Sequence, residues 1–207
     1  MIHPDTELRL IGPEIGYGVF ATAPIPAGTI VYVKDDLELA ISPSAYRRHR
    51  GELRAVIEKY SYIDERGDRI VSWDFAKYVN HSCDANTIST GYGFEFALRD
   101  IAAGEEVTDE YGLFNLKADM PCSCGASGCR RLVRPGDFET YCDLWDARIR
   151  ATLPAMFAVP QPLADLLDRG TRTALARVRT AGSAYRSVWA LRYWSEVQGA
   201  TRTSNLR

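Results

Sequence analysis

The sequence predicts an α+β fold, rich in short β-strands through its first two thirds and helical towards its end. Three observations lead there. Gly/Pro turns separate short apolar runs in the front part of the chain. Aromatic residues take up helical spacing after residue 137. Between the two lies a knot of sulfur suited to a metal.

Taken in order, Leu8 and Leu10 lead into a Gly12-Pro13 turn, and Gly16-Tyr17-Gly18-Val19-Phe20-Ala21 returns as a second strand. Pro24, Pro26 and Gly28 punctuate the next turn, and Ile30 to Val33, rich in β-branched residues, reads as a strand. Leu53, Val56 and Ile57 share one side of a helix expected from Pro43 to Tyr60. A hairpin follows, with strands Tyr60 to Ile63 and Arg69 to Trp73 joined by a turn at Asp64 to Gly67. Behind the capping candidate Asp137, the residues Phe138, Tyr141, Cys142, Trp145 and Ile149 line one helix, and helices are also expected near 162–169, 172–180 and 184–197.

Composition excludes several classes of protein. With 207 residues and 46% hydrophobic content, the chain buries a real core and is not disordered. No apolar run approaches the roughly 20 residues of a membrane helix, and the first residues lack a signal-peptide pattern, so the expected location is cytoplasmic. In a reducing compartment five cysteines suit metal binding better than disulfides. The net charge of −2 divides unevenly: ten arginines and six acids give +4 beyond residue 137, against −6 before it. That basic end reads as a solvated helix surface, or else as a face for an acidic or nucleic-acid-associated partner. Its aromatic residues Trp145, Tyr185, Trp189, Tyr193 and Trp194 read as packing, with a substrate-groove wall or a homodimer contact as alternatives. His3 and His49 read as surface residues without a role.

Three segments carry the chemistry. Cys122-Ser123-Cys124-Gly125-Ala126-Ser127-Gly128-Cys129 places three thiols in a loop whose glycines let the backbone wrap one tetrahedral Zn2+. Zinc takes four ligands, and the remaining cysteines are Cys83 and Cys142. Asn80-His81-Ser82-Cys83-Asp84-Ala85-Asn86 gathers hydrogen-bonding side chains and a thiol. Gly104 to Gly112 reads as a turn and a brief strand ending in Tyr111.

In this order the segments resemble those of the SET-domain protein lysine methyltransferases: an early GxG at Gly16 to Gly18, NHSCxPN at Asn80 to Asn86, GEELTxDYG at Gly104 to Gly112, and post-SET CxCx4C at Cys122 to Cys129. The resemblance covers about residues 6–132 and marks a minimal, bacterial-like member. It implies a SET domain over 6–117, a post-SET zinc segment over 118–134, and a helical extension over 137–207 outside the match. The implied fold is a set of small curved sheets with the NHSC and ELTxDY segments threaded as a pseudoknot. It further implies Cys83 as fourth zinc ligand beside Cys122, Cys124 and Cys129, leaving Cys142 as an apolar filler. The implied cofactor is S-adenosylmethionine, held by Tyr17, Gly18, Asn80 and His81 with added contacts from Lys77 and Tyr78. Tyr111 matches the catalytic tyrosine beside the methyl-transfer axis.

The resemblance implies methyl transfer to the ε-amine of a protein lysine; a peptide or small-molecule amine, or an inactive zinc-stapled binding module, are the alternatives. The amine must arrive neutral, which at pH 7 costs a lysine about 4.6 kcal/mol. Proximity to a sulfonium and an apolar channel lower its pKa, so no dedicated base is expected. Four departures stand out. Asp109 occupies the place of an aromatic that lines the family's lysine channel, and there it would favour a charged ammonium; this demands a different amine geometry or a neighbour that neutralises the acid, or else Asp109 turns towards a basic group or water. Ala85 replaces a proline, Val33-Lys34 replaces Glu-Tyr after the early strand, and no cysteine-rich pre-SET segment is seen.

Overall fold

In the computed structural model, residues 1–181 and 185–194 are described. Short strands form four small sheets, none closed into a barrel. The first sheet carries β1 (Thr6–Gly12), β2 (Gly16–Ala21), β10 (Glu106–Asp109) and β7 (Asn80–His81) in that order. β10 runs antiparallel to β2 but parallel to β7, with Thr108 opposite Asn80 and Asp109 opposite His81. Two segments distant in sequence, those of the Asn-His pair and of Tyr111, are thereby laid side by side.

A second sheet orders β3 (Ile30–Val33), β9 (Phe94–Ala97) and β8 (Thr87–Ser89), and a third orders β4 (Leu39–Ile41), β6 (Arg69–Val71) and β5 (Tyr62–Ile63). β11 (Met120–Pro121) and β12 (Leu132–Val133) pair at the two ends of the cysteine loop. The long helix α3 (Asp137–Met156) packs Phe138, Cys142, Trp145, Ile149 and Leu153 against Ile30, Ile88, Phe94 and Phe96 of the second sheet. A smaller apolar cluster of Val19, Ile25, Val31, Ile101 and Val107 joins the first sheet to the second. Gly28, at φ +86°, is where α3 meets the β layer: a Cβ there would lie 2.5 Å from the backbone nitrogen of Met156.

Several expectations are corrected. The helix predicted from Pro43 to Tyr60 is two helices, α1 (Pro43–Tyr46) and α2 (Gly51–Tyr60). Gly51 has φ +58°, a left-handed conformation that a continuous helix cannot contain. Of 162–169, only the 3-10 turn Ala164–Leu166 and the opening residue of the next helix, Arg169, are helical. Just before that turn, the Gln161 side chain bonds the backbones of Gly28, Ile30 and Met156, tying the chain to the sheet. The stretch 172–180 is helical within α4 (Arg169–Ala181).

Of 184–197, only the 3-10 turn Val188–Leu191 is helical among the described residues; 184 and 195–197 lie outside them. Here tertiary partners take the backbone donors: the Val188 N–H bonds Asp146, and the Arg186 N–H bonds the Tyr92 hydroxyl. The N-cap of α3 is Gly136, while Asp137 opens the helix and turns to Arg130. His3 is not a surface residue. It is 4% exposed, its Nδ1 accepts the Asp5 N–H at 3.1 Å, and burial lowers its pKa. No helix among the described residues is long and apolar enough to cross a membrane.

Candidate functional site

The turn into β2 places Tyr17 and Gly18 beside β10, and β10 in turn holds β7. Asn80 Nδ2 donates to the Tyr17 carbonyl (3.1 Å) and to Glu106 Oε1 (2.8 Å). Gly18 leaves room for this approach, since a Cβ would come within 2.6 Å of Glu106 Oε1 and 3.1 Å of Asn80 Nδ2. Tyr17 is exposed and meets Tyr78 edge-on at 5.7 Å, and Lys77 Nζ lies 5.4 Å from the Tyr78 ring centre. Asn86, at the far end of the same segment, is a stitch within the sheet: its amide bonds both the N–H of Thr108 and the carbonyl of Glu106.

The His81 side chain is buried. Its Nδ1 receives the Tyr111 N–H at 3.2 Å and lies 3.0 Å from the Asp109 carbonyl, while Nε2 sits 3.4 Å from Cys83 Sγ. Burial lowers its pKa, and Nε2 also lies 3.4 Å from Arg130 Nη2, so the ring joins the Tyr111 turn to the cysteine loop. The Tyr111 hydroxyl donates to the Val79 carbonyl at 2.5 Å. Burial raises its pKa, so the phenol keeps its proton and its oxygen lone pairs remain available as acceptors.

A cavity of about 560 Å³ opens in front of Tyr111. Tyr32, Tyr62 and Phe114 line it with Tyr111, and the Asp109 and Glu95 carboxyls lie in its wall. The ring centres of Tyr111 and Phe114 are 5.0 Å apart, and those of Tyr62 and Phe114 5.3 Å. Asp109 turns to no basic group among the described residues: it is 1% exposed, and its Oδ1 accepts the Glu110 N–H at 2.7 Å. Burial, and the charge of Glu110, push its carboxyl up to about 7. Glu95 beside it is raised well above the usual carboxylate range by burial and by Asp109.

The sulfurs of Cys83, Cys122, Cys124 and Cys129 lie within 4.8 Å of one another. Cys122 Sγ is 3.8 Å from Cys83 Sγ and 3.7 Å from Cys129 Sγ. Tetrahedral zinc with ~2.3 Å bonds to sulfur sets its ligands about 3.8 Å apart, so the donor set fits that ion. Peptide N–H groups of Cys83, Arg130 and Arg131 point at Cys124, Cys83 and Cys129 respectively, each at 3.4 Å. Burial pushes the Cys122 thiol up to about 12. It also opposes ionisation of Cys124, yet N–H bonds from Cys83 and Ala126 bring that thiol down to about 6. Four adjacent thiolates need a dication to coexist. Cys142 stays apart, 1% exposed in the core beneath α3.

Sequence reasoning missed four acids and bases here. Arg130 donates to Glu110 Oε1 (2.6 Å) and Asp137 Oδ2 (3.0 Å), joining the cysteine loop to the Tyr111 turn and to α3. Its position directly after Cys129 was the available signal. Glu106 and Glu110 stood in the motif without distinct roles, and Glu95, between two phenylalanines, carried no signal at all.

Small sheets, the paired Asn80-His81 and Tyr111 segments and a neighbouring cysteine cluster define a SET domain, and the SET-domain family model matches residues 16–112. The chain thus carries a SET domain, and its relatives are named histone-lysine N-methyltransferases. It is 30% identical over 136 residues to "Histone-lysine N-methyltransferase ATX2" of Arabidopsis thaliana, covering 60% of this chain and 12% of that protein. Two other proteins of that plant are similar: "Histone-lysine N-methyltransferase ASHH3" (31% identity, 60% of this chain, 38% of that one) and "Histone H3-lysine(4) N-trimethyltransferase ATX1" (32%, 63% and 14%). The chain thus spans well under half the length of these relatives. Among solved structures, the methyltransferase domain of human SETMAR aligns with a TM-score of 0.45 at 19% identity, covering 64% of this chain and 58% of that one.

Proposed function

We propose that this protein transfers a methyl group from S-adenosylmethionine to the ε-amine of a protein lysine. The juxtaposition of the Tyr111 phenol with the Asn80-His81 strand, beside an open cavity partly lined by Tyr32, Tyr62 and Phe114, supports this reading most directly.

The residues fit the donor. Tyr17, Lys77 and Tyr78 stand together beside the close approach of Gly18 to Asn80, so Tyr17, Gly18, Lys77, Tyr78 and Asn80 would hold the cofactor. The His81 ring is committed to Tyr111 and Cys83, which leaves its backbone for that purpose. S-adenosylmethionine, when bound, supplies an electrophilic methyl carbon on a sulfonium. The rest is alignment. Tyr111, anchored on the Val79 carbonyl, presents its oxygen to the transfer axis, while Tyr62 and Phe114 shield the amine from water.

Zinc on Cys83, Cys122, Cys124 and Cys129 would staple the 118–134 segment to the Asn-His strand, beside a SET domain over 6–117 and a helical part from 137 onwards. A thiol cluster of this kind suits the reducing cytoplasm. The arginines of α4 offer an acidic or nucleic-acid-associated partner a basic face.

The test is calorimetric binding of S-adenosylmethionine, followed by mass spectrometry of histones and ribosomal proteins for methyl-sized increments. Binding and turnover are expected; binding with no turnover on any protein or amine would favour an inactive module. Cys83→Ser is expected to lose zinc and cofactor binding while Cys142→Ser keeps both, and equal loss of metal in the two would overturn the ligand assignment.

A further inference from the structure

A neutral amine is the problem this site must solve, and its wall holds an unusual pair. Asp109 projects from β10 and Glu95 from β9, and both carboxyls line the cavity that Tyr111 fronts. Asp109 is 1% exposed, and its Oδ2 has no hydrogen-bond partner among the described residues. A carboxylate oxygen buried without a donor is destabilising in a folded protein unless something arrives to satisfy it.

The groups facing Asp109 are Glu95, Ser89 of β8, and its chain neighbours Glu110 and Tyr111. Glu110 is ion-paired with Arg130. Ser89 Oγ bonds Glu95 Oε1 at 3.1 Å, and both residues also line a second, smaller cleft of about 60 Å³. The cationic side chains that border the cavity include Lys77, whose Nζ is spent on the carbonyls of Ser72 and Asp74. Asp109, Glu95 and Ser89 therefore form a line of exchangeable groups from one opening to another.

We propose that Asp109 receives the ammonium of the substrate and takes its proton, with Glu95 and Ser89 passing that proton to the second cleft. This rests on the methyltransferase reading and adds to it a substrate class, protonated primary or secondary amines, and a proton acceptor. One N–H bond of the ammonium breaks and its electron pair stays on nitrogen. The proton goes to Asp109 Oδ2. The freed pair forms the new N–C bond as the S–CH3 bond breaks, leaving its electrons on sulfur. The methylated nitrogen then carries the positive charge, and a second proton can leave by the same route. Two facing carboxyls suit this task because burial and the charge of Asp109 hold Glu95 protonated, while burial and the charge of Glu110, offset by Glu95 and Ser89, leave Asp109 ready to accept near neutral pH.

The test uses the full zinc-loaded chain and n-butylammonium as probe, followed by calorimetry at pH 6 and pH 8 in two buffers of different ionisation enthalpy. For the native chain we expect binding with little net proton exchange at pH 8. At pH 6, where Asp109 is already protonated, binding should release a proton to the buffer. Asp109→Asn, with zinc content and circular dichroism unchanged, should weaken binding at pH 8 at least ~10-fold. It should also slow methyl transfer about 10²-fold at neutral pH, with the deficit shrinking as pH approaches that of free amine deprotonation. Glu95→Gln should keep binding within about threefold but shift the pH dependence to higher pH, because the protonated carboxyl that steadies the Asp109 carboxylate is replaced by a weaker amide donor. A purely structural role for the pair would not move that profile. Absent binding in the native chain, or equal binding and an equal pH profile in Asp109→Asn, overturns the proposal and leaves the methyltransferase reading intact. Binding that depends on Asp109, without methyl transfer to any amine, upholds the cation site and sinks the methyltransferase reading instead.

Discussion

Asp109 shows how one side chain sets a property of the whole fold. Its carboxyl, like that of Glu95, holds its proton to higher pH in the folded chain than in the unfolded one. The native state therefore binds more protons than the unfolded state, and stability falls as pH rises from about 4, the unfolded value, towards about 7 for Asp109. Glu95 extends that fall upward. Asp109→Asn is accordingly expected to raise the thermal midpoint at pH 8 by roughly 2–4 °C and to leave it nearly unchanged at pH 4, as followed by circular dichroism. An unchanged difference between the two pH values would contradict the burial of this charge. Gly112 makes a second point at this scale. A Cβ there would lie 2.6 Å from the ring of Trp145, itself 2% exposed, so Gly112→Ala overpacks the joint between the Tyr111 turn and α3. A loss of about 1–3 kcal/mol in denaturant unfolding is expected.

Among the elements, the cysteine loop matters through what it is tied to. Arg130 is mostly buried and bonds Glu110 and Asp137 at once, so one residue joins the loop, β10's end and the start of α3. Removing it leaves two acids without their partner. Arg130→Met is expected to cost about 3–5 kcal/mol and to weaken zinc retention against a chelator by at least ~10-fold, measured by metal analysis after dialysis. Retention equal to that of the native chain would show that the loop holds its metal independently. Legibility also divides at this level. The first two strands, the hairpin at 60–73 and the helix after Asp137 could be read because their signals are local: turn glycines, alternation and helical spacing. The helix expected over 184–197 could not be judged from spacing, since its backbone donors go to Asp146 and Tyr92, residues far away in sequence. The same holds for Glu95: on a strand beside Phe94 and Phe96 it reads as an outward-facing acid, and only the arrival of β10 on that side encloses it.

In the molecule as a whole, the segment 185–194 folds back over the β layers, and Asn115 fastens it. That residue adopts φ 53°, donates to the carbonyls of Ile63 and Leu191, and accepts from Tyr193 and Arg192. It immediately follows Phe114 of the cavity wall. Asn115→Ala removes these bonds and strains the backbone, with an expected loss of ~2–4 kcal/mol and faster proteolytic cleavage near 185–194. Cleavage at the native rate would mean that the aromatic contacts of Trp189 hold this segment by themselves. The motif resemblance located the Asn-His strand, Tyr111 and the sulfur cluster, and the structure gathers all of them in one region. What the sequence left open was the far wall, because it is contributed by residues whose only common property is that the finished fold brings them together.

The parallel union of β7 with β10 has a consequence for how the chain comes into being. The 24 residues 82–105 part these strands, and the loop that seals them lies later still, with α3 and 185–194 after it. On the ribosome, then, the pocket has no early nucleus of its own: it stays open until most of the polypeptide has emerged, and nascent chains expose unpaired strand edges in the meantime. Methyl-transfer competence should be among the last properties a newborn molecule acquires.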